Sequence, residues 1–161
     1  MIQFSQMRYL VIMLAVALIN CGGKKEEKPS FSFEKKEEKA DSSRASARID
    51  LESKGVGPVE KVQLGQEIDS IMVGSGKATF EMKCTACHKL GKKFIGPPPN
   101  GILKRRAPEW VMNMILNPSE MVKKDALAKD LFMEFNGSPM SDQGLNEEEA
   151  REVLEYFRTL Q

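Results

Sequence analysis

Apolar and polar positions divide the 161-residue chain into three regions. An uninterrupted apolar run covers Tyr9 to Ile19, a polar stretch follows, and helical periodicity begins near residue 70. The run has eleven residues, whereas about 20 are needed to cross a bilayer. Because Arg8 precedes it, the run predicts a signal peptide over residues 1–20. A short, tilted transmembrane anchor over residues 9–21 is the alternative.

Helical periodicity in the third region predicts an all-α domain over residues 70–161. Gly76, Phe80 and Cys84 recur every four positions, as on one face of a helix. Near the C-terminus Asn146 is a suitable N-cap with a carboxylate at the third helical position. Apolar residues then follow at helical spacing: Ala150, Val153, Leu154, Phe157 and Leu160.

Two more helices are predicted between these. The first opens at Pro108, because proline suits the first helical turn, and it ends before Pro118. The second covers Asp125 to Phe135 and is stopped by Asn136-Gly137.

The polar stretch before this domain predicts a flexible linker over residues 21–69. Residues 22–60 hold nine Lys or Arg and nine Asp or Glu against six larger apolar residues. Burial of so few apolar groups cannot offset the entropy cost of ordering the chain. We therefore expect a solvated spacer without specific contacts.

Composition narrows the classes of function. Lys and Arg number 24 and Asp and Glu 23, so the formal charge is +1 and the chain lacks the basic field that nucleic-acid binding requires. A single His excludes two-His zinc fingers, three-His zinc hydrolases and bis-His haem ligation from this chain alone. Three Cys are too few for a disulfide-stapled fold.

The most specific chemical signal is Cys84-Thr85-Ala86-Cys87-His88, the C-x-x-C-H pattern of c-type haem attachment. Two thiols three positions apart at a helix end can reach the two vinyl groups at one porphyrin edge, and the adjacent His can reach the iron. A thioredoxin-like pair would need a strand before the motif, and a zinc site would need a fourth ligand. Attachment of one haem c is the interpretation that uses every unusual residue of the motif.

In this region the chain resembles class I cytochromes c. The matching features occur in family order: Gly76 and Phe80 before the motif, the motif itself, Gly96-Pro97 after it, and Met140 directly after a Pro. The resemblance implies a small all-α cytochrome c fold with covalently bound haem. In that fold the helix before the motif crosses the C-terminal helix, and Tyr156 or Phe157 packs on Phe80.

The resemblance also implies roles for single residues. Four of them bind the cofactor, two covalently and two as axial ligands of the iron: Cys84 and Cys87, then His88 and Met140. The Pro97 carbonyl accepts a hydrogen bond from the ring of the ligating His. Met133 is the second candidate for the distal position, and Lys129 could compete there only after losing its proton.

The basic residues near the motif allow two interpretations. Lys104-Arg105-Arg106 is either a solvated turn or the source of an Arg that, with the Trp110 indole N–H, neutralises a haem propionate. Four lysines either rim an exposed haem edge and steer an acidic redox partner or only keep the surface soluble: Lys83, Lys89, Lys92 and Lys93.

The apolar run at the N-terminus ends in Leu18-Ile19-Asn20-Cys21-Gly22, which resembles the lipobox of bacterial lipoproteins, although Asn20 departs from the small residue usual there. The resemblance implies a lipidated Cys21 and a domain tethered on the periplasmic or cell-surface side of a bacterial membrane.

A His and a Met on the two faces of the iron leave no open coordination site for oxygen or peroxide. We therefore expect a monomeric one-electron carrier, not an enzyme, that exchanges electrons with redox partners such as an oxidase or reductase complex. The alternatives are a haem-based redox or ligand sensor and a small haem subunit of a larger membrane oxidoreductase.

Overall fold

The computed structural model describes residues 44–161. This part of the chain forms α-helices and no β-strand, which confirms the all-α prediction for these residues. The helices are α1 (Ser70–Lys83), α2 (Pro108–Leu116), α3 (Pro118–Lys124), α4 (Ala126–Glu134) and α5 (Glu147–Arg158), with a short 3-10 helix at Ile102–Lys104. The predicted signal peptide, Cys21 and the first part of the predicted linker lie outside the described residues.

The helices α1 and α5 cross at a glycine, as predicted. A Cβ on Gly76 would lie 2.0 Å from the carbonyl oxygen of Glu152 in α5, so only glycine permits this approach. One turn later the buried Phe80 contacts Tyr156 and Phe157, with ring-centroid distances of 5.7 and 5.6 Å. Both aromatic residues are therefore partners of Phe80.

The start of α5 shows the predicted capping box. The Asn146 side chain accepts a hydrogen bond from the Glu149 N–H, and the Glu149 carboxylate accepts one from the Asn146 N–H, each at 2.9 Å. These two bonds satisfy backbone donors that a helix start leaves unpaired. The helix then turns its apolar face to the core, where Val153 and Leu154 are buried.

Helix α3 was not among the predicted elements. Pro118 was interpreted only as the end of the preceding helix, but it is also the first residue of α3. Proline fits that position because its missing N–H has no intrahelical acceptor there. The short helix turns Met121, a fully buried residue, into the core.

The largest difference from the sequence analysis concerns residues 44–69, which we call the N-terminal strap. They were predicted as flexible linker, yet Ala45 and Val59 are buried against the domain. The Val59 N–H donates to Asn113 Oδ1 at 2.9 Å, and the Asn113 amide donates to the Val59 carbonyl at 2.9 Å. The strap thus needs few apolar residues, because buried polar side chains of the domain bind its backbone.

Candidate cofactor site

A mostly apolar cavity lies between the C-x-x-C-H motif, the loops that follow it, α2, α4 and the loop before α5. The space between its walls, including solvent at its mouth, is about 1340 Å³. All eight residues predicted to contact the cofactor line it: Cys84, Cys87, His88, Pro97, Arg105, Arg106, Trp110 and Met140.

The motif forms a tight turn at the end of α1. The N–H of Cys84 still donates to the Phe80 carbonyl in the helix, and the N–H groups of Cys87 and His88 both donate to the Cys84 carbonyl at 3.1 and 2.9 Å.

Burial raises the pKa of the Cys84 thiol, whereas a thioredoxin-like nucleophile needs a lowered pKa. Within residues 44–161 no group of three or more His, Cys, Asp or Glu side chains is placed to hold a metal ion.

The imidazole of His88 is held in one orientation. Its Nδ1 lies 2.8 Å from the Pro97 carbonyl oxygen, and because a carbonyl can only accept, Nδ1 carries the proton. Nε2 is then left with a lone pair that can bind a metal. A Cβ on Gly96 would lie 2.6 Å from the ring carbon Cε1, so glycine at this position makes room for the imidazole.

The opposite side of the cavity is formed by the loop between α4 and α5. Asn136 and Gly137 adopt positive φ angles of 58° and 69° and reverse the chain after α4. Met140 follows, half-buried and packed against the core. Met133 is 68% exposed and lies outside the cavity lining, as does the exposed Lys129. Met114 of α2 also lines the cavity.

Two neighbouring arginines fit an anionic group at one end of the cavity. The Nε atoms of Arg105 and Arg106 are buried and have no hydrogen-bond partner among the described residues. Burial lowers the pKa of both guanidinium groups, and that of Arg106 falls to about 10. A carboxylate such as a haem propionate would supply the missing acceptor.

Trp110 and the terminal nitrogens of Arg106 have protein partners in place of the haem propionate that was predicted for them. The Trp110 indole N–H, which we predicted to face a propionate, instead donates to Asp125 Oδ1 at 3.2 Å. The terminal nitrogens of Arg106 bind backbone carbonyls, including that of Ala45 at 2.6 Å. Arg105 makes one such bond, to the Asn100 carbonyl at 3.1 Å, and is therefore the arginine with most donors left for the cofactor.

One residue of the cavity wall lies in a segment for which the sequence analysis predicted no contacts. Ser46 lines the cavity from the strap, in a segment whose polar composition predicted no contacts at all. No periodicity marks it, since the strap follows neither a helix nor a strand pattern. Its apolar residues give no signal either, because Ala45 and Val59 are buried whereas Ile49 and Leu51 between them are exposed.

Comparisons with known proteins agree with this geometry. Residues 73–161 match the family model described as Cytochrome c. Among solved structures, a cytochrome c from Rhodothermus marinus is 43% identical with a TM-score of 0.63, and the match covers 65% of this chain and 89% of that chain. An engineered form of it, Rma TDE, is 42% identical with a TM-score of 0.62, covering 65% of this chain and 90% of that chain. No curated protein matches the chain.

The residues at the cavity therefore fit the cofactor that this family carries. The cavity offers two thiols, an oriented imidazole, a thioether and unpaired cationic donors around one apolar space. Together with a family match that covers more than half of the sequence, these features show that the chain belongs to the cytochrome c family, as a class I monohaem electron carrier with covalently bound haem c.

Proposed function

We propose that the chain carries single electrons through a haem c that is attached at Cys84 and Cys87 and ligated by His88 and Met140. The observation that carries this assignment is that all four side chains line one apolar cavity, with His88 oriented by Pro97. Haem supplies an iron that cycles between two oxidation states. The chain supplies the imidazole and thioether, excludes water, and positions cationic donors near the propionates.

Met140 is the proposed distal ligand because of where its loop lies and because of its chemistry. A thioether loses no proton and carries no charge, so placing it in an apolar cavity costs little. Thioether ligation favours ferrous iron and raises the reduction potential. Of the other candidates, Met133 and Lys129 lie outside the cavity, and Met114 belongs to the regular helix α2.

Substitution of the methionines tests this assignment. In the haem-loaded protein, Met140→Ala should abolish the far-red iron–sulfur absorption band and lower the reduction potential. Met114→Leu and Met133→Leu are matched controls that should keep both. If the band disappears in Met114→Leu and persists in Met140→Ala, the distal ligand has been assigned to the wrong element.

We further propose that an acidic redox protein docks beside the attachment motif. Leu90, Phe94 and Ile95 are each about half exposed, and exposed Lys92 and Lys93 lie among them in the sequence. An apolar patch next to positive charges suits a partner with acidic residues around an apolar centre.

Charge reversal tests the docking proposal. Oxidation of the reduced protein by native membranes should slow on raising the salt concentration, because salt screens the attraction. Lys92→Glu should slow it further, whereas Lys123→Glu, an exposed position on α3, should leave the rate nearly unchanged. Equal rates for the two variants would show that docking uses another surface.

Membrane tethering completes the proposal. Bacterial cytochromes c typically function outside the cytoplasm, and within residues 44–161 no helix is long and apolar enough to cross a membrane. We propose that Cys21 carries the lipid that holds the domain at the membrane.

Mass spectrometry of the mature protein should find acyl groups at Cys21, and Cys21→Ser should release a haem-loaded domain. A mature protein without acyl groups contradicts the anchor.

A further inference from the structure

The N-terminal strap contacts α4 from its N-cap to its last residue. Asp125 is the N-cap of this helix, whereas Asp130 and Glu134 are four positions apart and therefore lie on one face of it. The strap supplies a donor to each: Ser53 Oγ to Asp125 at 3.3 Å, Arg48 Nη1 to Asp130 at 2.8 Å, and the Ser46 hydroxyl and N–H to Glu134 at 2.5 and 2.7 Å. The strap and α4 are thus joined over the whole length of the helix.

The same strap residues are fixed to the core on their other side. The buried Arg106 donates to the carbonyls of Ala45 and Arg48, and the Asp50 N–H donates to the Arg105 carbonyl at 2.9 Å. The strap therefore connects α4 to Arg105 and Arg106, which lie just before α2. A strap displaced together with α4 would have to break its hydrogen bonds to these two arginines.

Helix α4 packs on the core through Leu127 and Ala128, and its helix contacts are mainly with α3, which has seven residues. The loop that carries Met140 follows α4 directly, after the turn at Asn136 and Gly137. A displacement of α4 would consequently move the loop and its methionine.

We infer that strap residues 46–53 are a positioning element that keeps Met140 in place at the sixth coordination position. The inference rests on the proposed function, since it concerns the ligand assigned there. A ligand held on its own chain competes with free ligands through its effective concentration, which falls when the chain that presents it becomes mobile. The strap raises that effective concentration by bracing α4.

Imidazole binding to the oxidised, haem-loaded, full-length protein tests the inference, because free imidazole competes with Met140 for the iron. The double variant Ser46→Ala, Arg48→Gln removes the two side-chain donors to Glu134 and Asp130. We expect its imidazole Kd, read from the Soret shift, to fall about tenfold, with a weaker far-red band. Arg48→Lys, which keeps a cationic donor for Asp130 at a position outside the cavity lining, should bind imidazole as the wild type does.

Lys123→Gln is the matched control, because it breaks an exposed ion pair with Glu120 on α3 and leaves the strap intact. An imidazole Kd in the double variant equal to that of this control overturns the inference, whatever happens to thermal stability. If the double variant does not fold, Glu134→Gln weakens the same contact from the helix side and should lower the Kd in the same direction.

Met140→Ala in the same titration separates the two proposals. If Met140→Ala tightens imidazole binding and the strap variants do not, the strap has no positioning role and the ligand assignment stands. If Met140→Ala changes neither the band nor the Kd, the ligand assignment fails and the inference fails with it.

Discussion

The α1–α5 crossing and the N-terminal strap both contribute to the wall of the cofactor cavity, but different interactions hold them. The crossing depends on side-chain shape, with Gly76 against the α5 backbone and Phe80 between two aromatic rings. The strap depends on hydrogen bonds between its backbone and buried polar side chains such as Asn113 and Arg106. Shape complementarity fixes elements that must form together, whereas polar contacts hold a segment that can detach by itself.

This difference leads to an expectation about cooperativity. Loss of the crossing should unfold the whole domain, because α1 carries the attachment motif and α5 closes the core. Loss of strap contacts should produce local opening, because few apolar groups are exposed when the strap detaches. The following substitutions test the crossing, the strap and the junction between them.

Gly76→Ala should have the largest effect. A methyl group there would meet the Glu152 carbonyl oxygen at 2.0 Å, and backbone atoms cannot yield as a side-chain end can. We expect a loss of about 3 kcal/mol in the free energy of unfolding of the haem-loaded protein, measured by denaturant titration.

Gly74→Ala is the matched control for this substitution. It lies in the same helix, and a Cβ there would meet nothing within 4 Å. It should stabilise the helix by up to about 1 kcal/mol, since alanine favours helices more than glycine does. A similar loss at both positions would mean that the close approach of α1 and α5 is not what Gly76 provides.

Asn113→Ala should have a smaller and local effect. The Asn113 side chain accepts from the Val59 N–H and donates to the carbonyls of Lys54 and Val59, each at 2.9 Å. Its removal should cost about 2 kcal/mol and speed hydrogen exchange at the Val59 amide, with little change at amides of α1 and α5. Faster exchange throughout the domain would show that the strap unfolds only together with the helices.

The crossing and the place of Met140 are the parts of the site that could be predicted from the sequence. Periodicity predicted the helices, but their crossing was implied by the resemblance to class I cytochromes c that Gly76, Phe80 and the attachment motif carry. The same resemblance implied Met140 as a ligand, and the helix stop at Asn136-Gly137 placed it in a loop. Both predictions depend on local motifs that the sequence displays directly.

The strap and the partner of Trp110 were not predictable in this way. The strap is fixed by long-range contacts between its backbone and single polar residues. Such backbone hydrogen bonds do not depend on the residue types of the strap, so composition does not reveal them. The Trp110 indole N–H binds Asp125, the N-cap of a helix fifteen residues later. A choice between Asp125 and a propionate requires knowledge of how α2 and α4 pack, which periodicity does not give.

Glu155 lies at the junction between the α1–α5 crossing and the N-terminal strap. It is 1% exposed in α5, contacts Arg151 and Arg158 at 2.6 and 2.5 Å, and accepts from the Asp69 N–H at the end of the strap. Burial alone would raise its pKa, but the Asp69 N–H and the two guanidinium groups outweigh burial. Its pKa therefore lies below the ordinary value of 4.5.

Glu155→Gln should accordingly make stability less dependent on pH. A carboxylate whose pKa is lowered by folding stabilises the native state above its unfolded pKa, and this contribution is lost as the pH falls through the folded pKa. At pH 7 we expect the variant to lose about 2 kcal/mol, as for hydrogen bonds to a charged group. At pH values below the folded pKa the two proteins should converge, because Glu155 is then neutral in both states.

Glu120, whose pKa the lysines Lys124 and Lys123 lower to about 2, is the more exposed counterpart, and Glu120→Gln should leave unfolding nearly unchanged at pH 7. Equal losses in the two variants would show that burial of Glu155 at the junction adds nothing to its ion pairs.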